Sequence, residues 1–310
     1  MEFIRGLLNL KPEHRGCVAT IGNFDGVHAG HQTVIKQVTD KARELGLPAV
    51  VITFEPQPRE YFRPEVSPPR LTKLREKLHA LDDLGVDRVL CLRFNDYLAG
   101  LTAEQFVQAV LVDGLAVEYL VVGDDFRFGQ GRAGDFEFLC QAGGRHHFEV
   151  ANTHSHKIDN LRVSSTRIRQ ALTAGNLELV ELLLGRPYCM CGHVAHGDKR
   201  GRTIGFPTAN IYLHRNATPL TGVYAVRMQG LDEGPVNGVA NIGTRPTVDG
   251  TRTLLEVHLL DFQRDIYGQH VDVCFLEKLR DEQRFESFEA LQAQIKRDVH
   301  RAQEIFSGDA

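Results

Sequence analysis

The sequence predicts two domains of different class. Residues 1–184 read as an α/β domain on a doubly wound parallel sheet, and residues 185–310 as a small antiparallel barrel of six strands with a terminal helix. Three observations carry this reading. Strand-like and helix-like periodicities alternate through the first half, as in a parallel sheet with helices on both faces. From about residue 189 only short β-like runs recur, separated by Gly, Pro, Asp and Asn turns. At the end, Phe285, Phe288, Leu291, Ile295 and Val299 share one helical face, which predicts a final amphipathic helix packed on the barrel.

The first strand expected is 17–21, Cys-Val-Ala-Thr-Ile, short, apolar and β-branched. Gly22, Gly26 and Gly30 then punctuate a tight turn, and from Gly30 the residues Val34, Ile35, Val38, Ala42 and Leu45 recur at helical spacing. A helix start has unpaired N–H groups and the positive end of the macrodipole, so an anion is stabilised in front of it. His28 and His31 bracket that point and can donate to a triphosphate. Zinc is the competing reading of the pair, and no nearby Cys or carboxylate completes a tetrahedral set. Ordinary surface histidines are the other.

Further strands are expected at 49–54, 86–94, 118–123 and 146–153, and helices at 30–45, 71–84, 102–115 and 165–174. Leu71, Leu74, Leu78 and Leu81 mark the buried stripe of the second helix, and Thr102 with Gln105 makes a capping box opening the third. Ligands of such sheets bind beyond the carboxyl ends of the strands, where residues 23–31 would lie. Three more loops can reach that crevice. In 55–62, EPQPREYF, Pro56 and Pro58 impose an irregular path suited to covering a substrate. In 123–135, Asp124, Asp125, Phe126, Arg127, Phe128 and Arg132 suit a flat ring and a phosphate; a solvated loop whose phenylalanines return to the core explains them equally. In 162–169, RVSSTRIR, hydroxyls suit an N-cap, but capping leaves Arg162, Arg167 and Arg169 unexplained, and one of these can pair with departing phosphates.

A short helix at 177–184 and a GRPY linker precede the barrel, whose strands are expected at 191–194, 208–213, 222–228, 236–242, 254–262 and 270–276. Residues 196–211, HGDKRGRTIGFPTANI, lack a GxxxxGK[ST] phosphate loop. Gly197, Gly201 and Gly205 nonetheless make a pliable loop for wrapping phosphates, with Lys199, Arg200 and Arg202 nearby. Strand alternation would put Thr208 and Asn210 on one face, offering a hydroxyl and an amide oxygen to Mg²⁺. Alternation likewise pairs Glu256 with His258, and either can accept a proton from an attacking hydroxyl.

Two long strings carry a resemblance. GNFDGVHAGHQ at 22–32 closely resembles the nucleotide-binding signature of HIGH-type adenylyltransferases in the form used by bacterial FAD synthetases. GFPTAN at 205–210 resembles the marker of riboflavin kinases. Together the likeness runs from about residue 15 to 300, in the order of the bifunctional riboflavin kinase/FAD synthetase family of prokaryotes. It implies a Rossmann-like nucleotidyltransferase domain that adenylylates FMN, and a barrel that phosphorylates riboflavin. It further implies that His28 and His31 stabilise ATP phosphates, with Gly22, Asn23, Phe24, Asp25 and Gly26 beside the nucleotide. Asp125, Phe126, Arg127 and Phe128 are implied to contact nucleotide and flavin. Arg162, Ser165, Thr166 and Arg169 match the family's ATP-binding SSTxIR element. In the kinase half, Gly205, Phe206 and Pro207 line the nucleotide, Thr208 with Asn210 holds Mg²⁺, Glu256 is the base, and Arg245 in NIGTRPT faces the flavin. The implied substrates are riboflavin, FMN and two molecules of ATP.

Composition bounds the rest. With 42% hydrophobic and 25% charged residues and a net charge of −4, the chain reads as an ordinary globular protein without a nucleic-acid or membrane partner; self-association stays open. No apolar run approaches the ~18 residues of a membrane span, and the apolar run at the N-terminus is too short for a signal peptide, which predicts a cytoplasmic protein. Six scattered cysteines predict buried, reduced thiols, and the lone CxC of Cys189 and Cys191 is a poor metal site.

Overall fold

In the computed structural model the chain forms two compact units. One comprises Met1–Pro68 and Thr72–Ser164, the other Pro69–Leu71 and Ser165–Ala310. The structure describes residues 1–153, 157–158, 161–196, 205–213, 215, 217–232, 234–247 and 250–308.

The first unit is a six-stranded sheet of β1 (Glu2–Arg5), β2 (Cys17–Ile21), β3 (Ala49–Glu55), β4 (Arg88–Arg93), β5 (Val117–Gly123) and β6 (Glu149–Thr153), in the order β1-β4-β3-β2-β5-β6. Every pairing is parallel. The connecting helices are α1 (Ala29–Leu45), α2 (Pro58–Phe62), α3 (Leu74–Asp82), α4 (Asp96–Gly100), α5 (Ala103–Phe106), which continues as a π-helical stretch over Val107–Val112, and α6 (Phe136–His146). The strands are apolar on both faces, because helices cover both. Cys17, Ala19, Ile21, Val50 and Ile52 meet Phe106, Val110, Leu111 and Leu139 on one side. Val18 and Val121 meet Val38 and Ala42 of α1 on the other, where Val51 and Val89 also pack with Ile35 and Leu81. Each fully buried aliphatic chain here contributes roughly 1.5–3 kcal/mol.

Several elements depart from the sequence reading. β1, too short and too charged at its ends to show a strand pattern, is placed by pairing with β4. The helix expected from Leu71 begins at Leu74; Leu71 is buried ahead of it, and the fully buried members of α3 are Lys77 and Leu81. The proline-rich loop after β3, entered through a cis Glu55–Pro56 peptide, folds into α2 with Glu60 accepting from the Gln57 N–H at 2.9 Å. A two-residue pair, β7 (Lys157–Ile158) with β8 (Leu161–Arg162), precedes the second unit.

The second unit starts with α7 (Ser165–Ala174) and α8 (Leu177–Leu184), the latter ended by Gly185 in the left-handed region. The closed barrel follows: β9 (Tyr188–Ala195), β10 (Ala209–Tyr212), β11 (Gly222–Gln229), β12 (Val236–Thr247), β13 (Gly250–Leu259) and β14 (His270–Arg280), in the order β10-β13-β12-β11-β14-β9 and antiparallel throughout. Alternation turns buried Met190, Ile211, Tyr224, Val226, Ala240, Leu255, Val257 and Val273 inward. A final helix, α9 (Phe288–Ser307), packs Val299, Ala302, Ile305 and Phe306 on Val223, Ala225 and Val239. The expected stripe is therefore displaced toward the C-terminus. Phe288 is 52% exposed, and Phe285 precedes the helix beside the Arg280 guanidinium.

The thiol expectation is corrected for one pair. Cys189 and Cys274, 85 residues apart in sequence, lie directly opposite on β9 and β14 with Cα atoms 3.9 Å apart, and are joined by a disulfide. Strand register, invisible in the spacing, brings the sulfurs together. Cys17, Cys91 and Cys191 are buried thiols outside any disulfide, and Cys140, also a thiol, is exposed rather than buried.

Candidate functional sites

In the first unit the strand order changes direction between β2 and β5, the position where open parallel sheets bind ligands. The turn leaving β2 is unusual. Phe24, Gly26 and Val27 have φ of 47°, 87° and 43°, and a β-branched residue at such an angle is strained. Burial of the Phe24 and Val27 side chains in the core with Ile35 and Val51 holds the turn, so Phe24 supports the site from beneath. Gln32 Nε2 donates to the Val27 carbonyl at 2.9 Å. His28 is the N-cap of α1, its Nδ1 accepting the His31 N–H at 3.3 Å. That acceptor role puts the proton of a neutral His28 on Nε2. The His28 and His31 rings stack with centroids 3.6 Å apart. A Cβ on Gly30 would stand 3.3 Å from the His28 ring, so glycine leaves the space the stack requires.

Burial first, and then the neighbouring His28, Lys77 and Arg162, hold the His31 imidazole well below its ordinary pKa. His31 is thus neutral near pH 7, and its Nδ1 is buried with no hydrogen-bond partner among the described residues. Arg162 supplies positive charge, its Nη2 lying 2.8 Å from Asp125 and 3.8 Å from Asp124. The loop after β5 therefore orients an arginine. Its other members point elsewhere: Arg127 pairs at 2.6 Å with Asp135, the N-cap of α6, while buried Phe128 stacks on Phe126 and packs with Phe106 and Phe138. Asp25 is buried, accepting from the Thr72 N–H at 3.0 Å. Ser165, Thr166 and Arg169 belong to the second unit, where Arg169 Nε donates to the Pro69 carbonyl at 2.6 Å.

Sequence reasoning passed over two groups in this unit. Tyr61 and Phe62 of α2 form an edge-to-face cluster with Phe94, and Phe94 with Phe54, at the carboxyl ends of β3 and β4; Phe62 stays 62% exposed. Lys77 and Thr72 are buried beside the turn. A signal for Lys77 was present, since it lies three residues after Leu74 and four before Leu81, on the apolar stripe itself.

In the barrel, Asn210 of β10 and Asn241 of β12 stand directly opposite Glu256 of β13, one on each side. Directly opposite residues share a face, so two amides flank the half-buried carboxylate. His258, on the same face, gives its Nδ1–H to the Pro207 carbonyl at 2.8 Å and meets the Phe206 ring edge-on. It holds the FPT segment. β10 starts at Ala209, so Thr208 lies just before the strand. It lines a cavity of about 480 Å³ with Pro207, Val257, Phe262, Arg264 and Tyr267, whereas Asn210 lies in the amide row. Gly197, Lys199 and Gly201 lie outside the described residues; Gly205 opens the described segment with φ 83°. Arg245 is on β12, and its side chain lies outside what the structure describes. No group of three or more His, Cys, Asp or Glu suited to a metal occurs among the described residues.

Residues 10–167 match the family model of FAD synthetase, and residues 184–306 that of riboflavin kinase. The chain is 52% identical to the bifunctional riboflavin kinase/FMN adenylyltransferase of Escherichia coli (strain K12), over 99% of this chain and 98% of that one. Identity to the protein of the same description from Pseudomonas fluorescens is 53%, over 100% and 99%. A crystal structure described as a macrolide-efflux protein from Streptococcus pneumoniae superposes with a TM-score of 0.83 at 32% identity, covering 98% of this chain and 99% of that one. Among the described residues no helix is long and apolar enough to cross a membrane.

Proposed function

The chain belongs to the bifunctional riboflavin kinase/FMN adenylyltransferase family, and from that premise we propose how its residues divide the two reactions. In the first unit, an FMN phosphate oxygen attacks the α-phosphorus of ATP, the bond to the bridging oxygen breaks, and pyrophosphate leaves with FAD formed. FMN phosphate is already ionised at neutral pH, so the step needs charge stabilisation rather than a base. The observation that carries this reading is the stack of His28 and His31 at the start of α1, where the Nδ1 of His28 accepts the His31 N–H and leaves the proton of a neutral ring on Nε2. Arg162, oriented by Asp125, adds charge. The aromatic cluster around Phe62 suits the flavin ring. Ser165 and Thr166 are assigned to ATP on the resemblance of their motif alone.

In the barrel, Glu256 accepts the proton of the riboflavin 5′-hydroxyl as that oxygen attacks the γ-phosphorus, giving FMN and ADP. Asn210 and Asn241 hold the carboxylate in place, and the cavity beside Thr208 takes the nucleotide. The Thr208 hydroxyl at that cavity is an oxygen donor of the kind Mg²⁺ takes, and the ion would neutralise phosphate charge there, whereas the Asn210 amide, in the row beside Glu256, is assigned to the ion on the resemblance of its motif alone. Dependence on ATP agrees with a cytoplasmic protein.

The test is chromatography of flavins formed from riboflavin, ATP and Mg²⁺. Wild type should form FAD, His28→Ala should stop at FMN, and Glu256→Gln should leave riboflavin while still converting supplied FMN. Each loss should be at least about 100-fold, the scale of removing a charge-stabilising donor or a general base. FAD from His28→Ala, or FMN from Glu256→Gln, at wild-type rate would remove the corresponding assignment.

A further inference from the structure

The turn that carries His28 is held from outside its own motif. Thr72, just before α3, uses both hydrogen-bonding capacities of its hydroxyl there: Oγ1 accepts the Gly26 N–H at 2.9 Å and donates to Asp25 Oδ1 at 3.4 Å. Its backbone N–H donates to the same carboxylate oxygen at 3.0 Å. One helical turn on, Lys77 Nζ donates to Thr53 Oγ1 at 3.3 Å, and Thr53 Oγ1 reaches the Asn23 carbonyl at 3.5 Å. The two ends of the turn, Asn23 and Asp25–Gly26, are thus both tied to one stretch of chain.

These ties are made by groups that are costly to bury. Asp25, Thr53, Thr72 and Lys77 are 3%, 0%, 6% and 1% exposed. Well-packed apolar residues in such places are often as stabilising or more so. The conformation they enforce is also one the chain resists, with Phe24 and Val27 in the left-handed region. The Lys77 ammonium is also among the charges that hold the His31 pKa down, so it acts electrostatically on that ring.

We propose that Thr72 and Lys77 are positioning residues for adenylyl transfer: from the entry to α3 and its first turn they fix residues 23–28 so that the stacked His28 and His31 meet the phosphates in one geometry. The proposal rests on the reading of residues 22–31 as the ATP phosphate site. A brace that merely stabilised the first unit would lower its melting temperature and leave the turnover of the folded enzyme intact; a positioning role lowers the kcat for FAD formation at a temperature where that unit is folded.

The experiment uses full-length Thr72→Val, Thr72→Ser, Lys77→Met and His28→Ala, each assayed for FMN to FAD and for riboflavin to FMN in the same preparation. Thr72→Val is expected to lose about 10- to 100-fold in kcat for FAD formation, the scale of a displaced reacting group. The KM for ATP should stay within about threefold and FMN formation within about twofold, and Thr72→Ser should recover most of the lost kcat. Wild-type FAD formation by Thr72→Val, or a Thr72→Ser as impaired as Thr72→Val, overturns the proposal. If Thr72→Val loses FMN formation too, Lys77→Met decides: selective loss of FAD formation supports the proposal, and parallel loss or no loss overturns it. FAD formation by His28→Ala at wild-type rate overturns the phosphate-site reading and the proposal with it. Loss in His28→Ala beside normal Thr72→Val overturns the proposal alone.

Discussion

His31 shows how a residue suited to charge stabilisation acquires a stability signature. Its folded-state pKa is depressed, chiefly by burial, so between the folded value and the ordinary 6.5 the unfolded chain binds a proton that the native protein excludes. Stability from this group is therefore complete above about pH 6.5 and declines as pH falls below it. His31→Gln removes that proton difference. Urea midpoints of wild type should fall between pH 7.5 and pH 5.5 more steeply than those of His31→Gln; parallel curves would show that His31 titrates alike in both states. The motif singled out His28 and His31, whose rings the structure brings together. Other residues in the same string proved to act differently from their neighbours, because a motif does not say which side chains face inward: Phe24 enters the core and Asp25 is bound to Thr72. Lys77 went unread because lysine on an apolar stripe is ordinarily taken as solvent-facing.

At the scale of elements, α9 illustrates where periodicity stops being informative. Its stripe was legible, yet the seat lies later, where Asp298 is 5% exposed and accepts from Arg280 Nε and Nη2 at 3.0 and 2.9 Å and from Gln294 Nε2 at 2.8 Å. The partner, Arg280, ends β14, and no pattern within residues 285–299 could reveal it. Asp298→Ala would leave that arginine, only 18% exposed, without its carboxylate, a loss of about 3–5 kcal/mol in the denaturant unfolding of the barrel unit. Ser287→Ala, which removes the N-cap bond to the Ala290 N–H on the exposed start of the helix, should cost about 1 kcal/mol. Equal effects would mean that capping and the buried ion pair anchor α9 alike. The same limit explains β1 and the Cys189–Cys274 bond, both fixed by a neighbouring strand rather than by local sequence.

At the scale of the molecule, the order of the two domains was legible because each has its own periodicity, 3.6 and 2 alternating in the first and 2 alone in the second. The composition of the barrel unit was not, since it takes in α7, α8 and the distant segment Pro69–Leu71. Three side chains of that unit end on the segment's carbonyls: Arg169 on Pro69, Arg215 Nη1 on Arg70 at 2.9 Å, and the Tyr188 hydroxyl on Leu71 at 3.0 Å. Tyr188 and Arg215 are 3% and 7% exposed, so loss of those carbonyls takes a buried hydrogen bond from each, at about 1 kcal/mol apiece. A fragment of residues 185–310, cut where the sequence pattern changes, also lacks α8, whose Leu177, Val180, Leu183 and Leu184 are buried. It should unfold at lower temperature than a fragment of residues 165–310, and the longer fragment should in turn gain from Arg215→Met, which removes a buried cation that has lost its Arg70 and Leu71 acceptors. If the two fragments melt together and Arg215→Met leaves the longer one unchanged, the barrel is self-sufficient and the pattern change at residue 185 is the physical boundary as well.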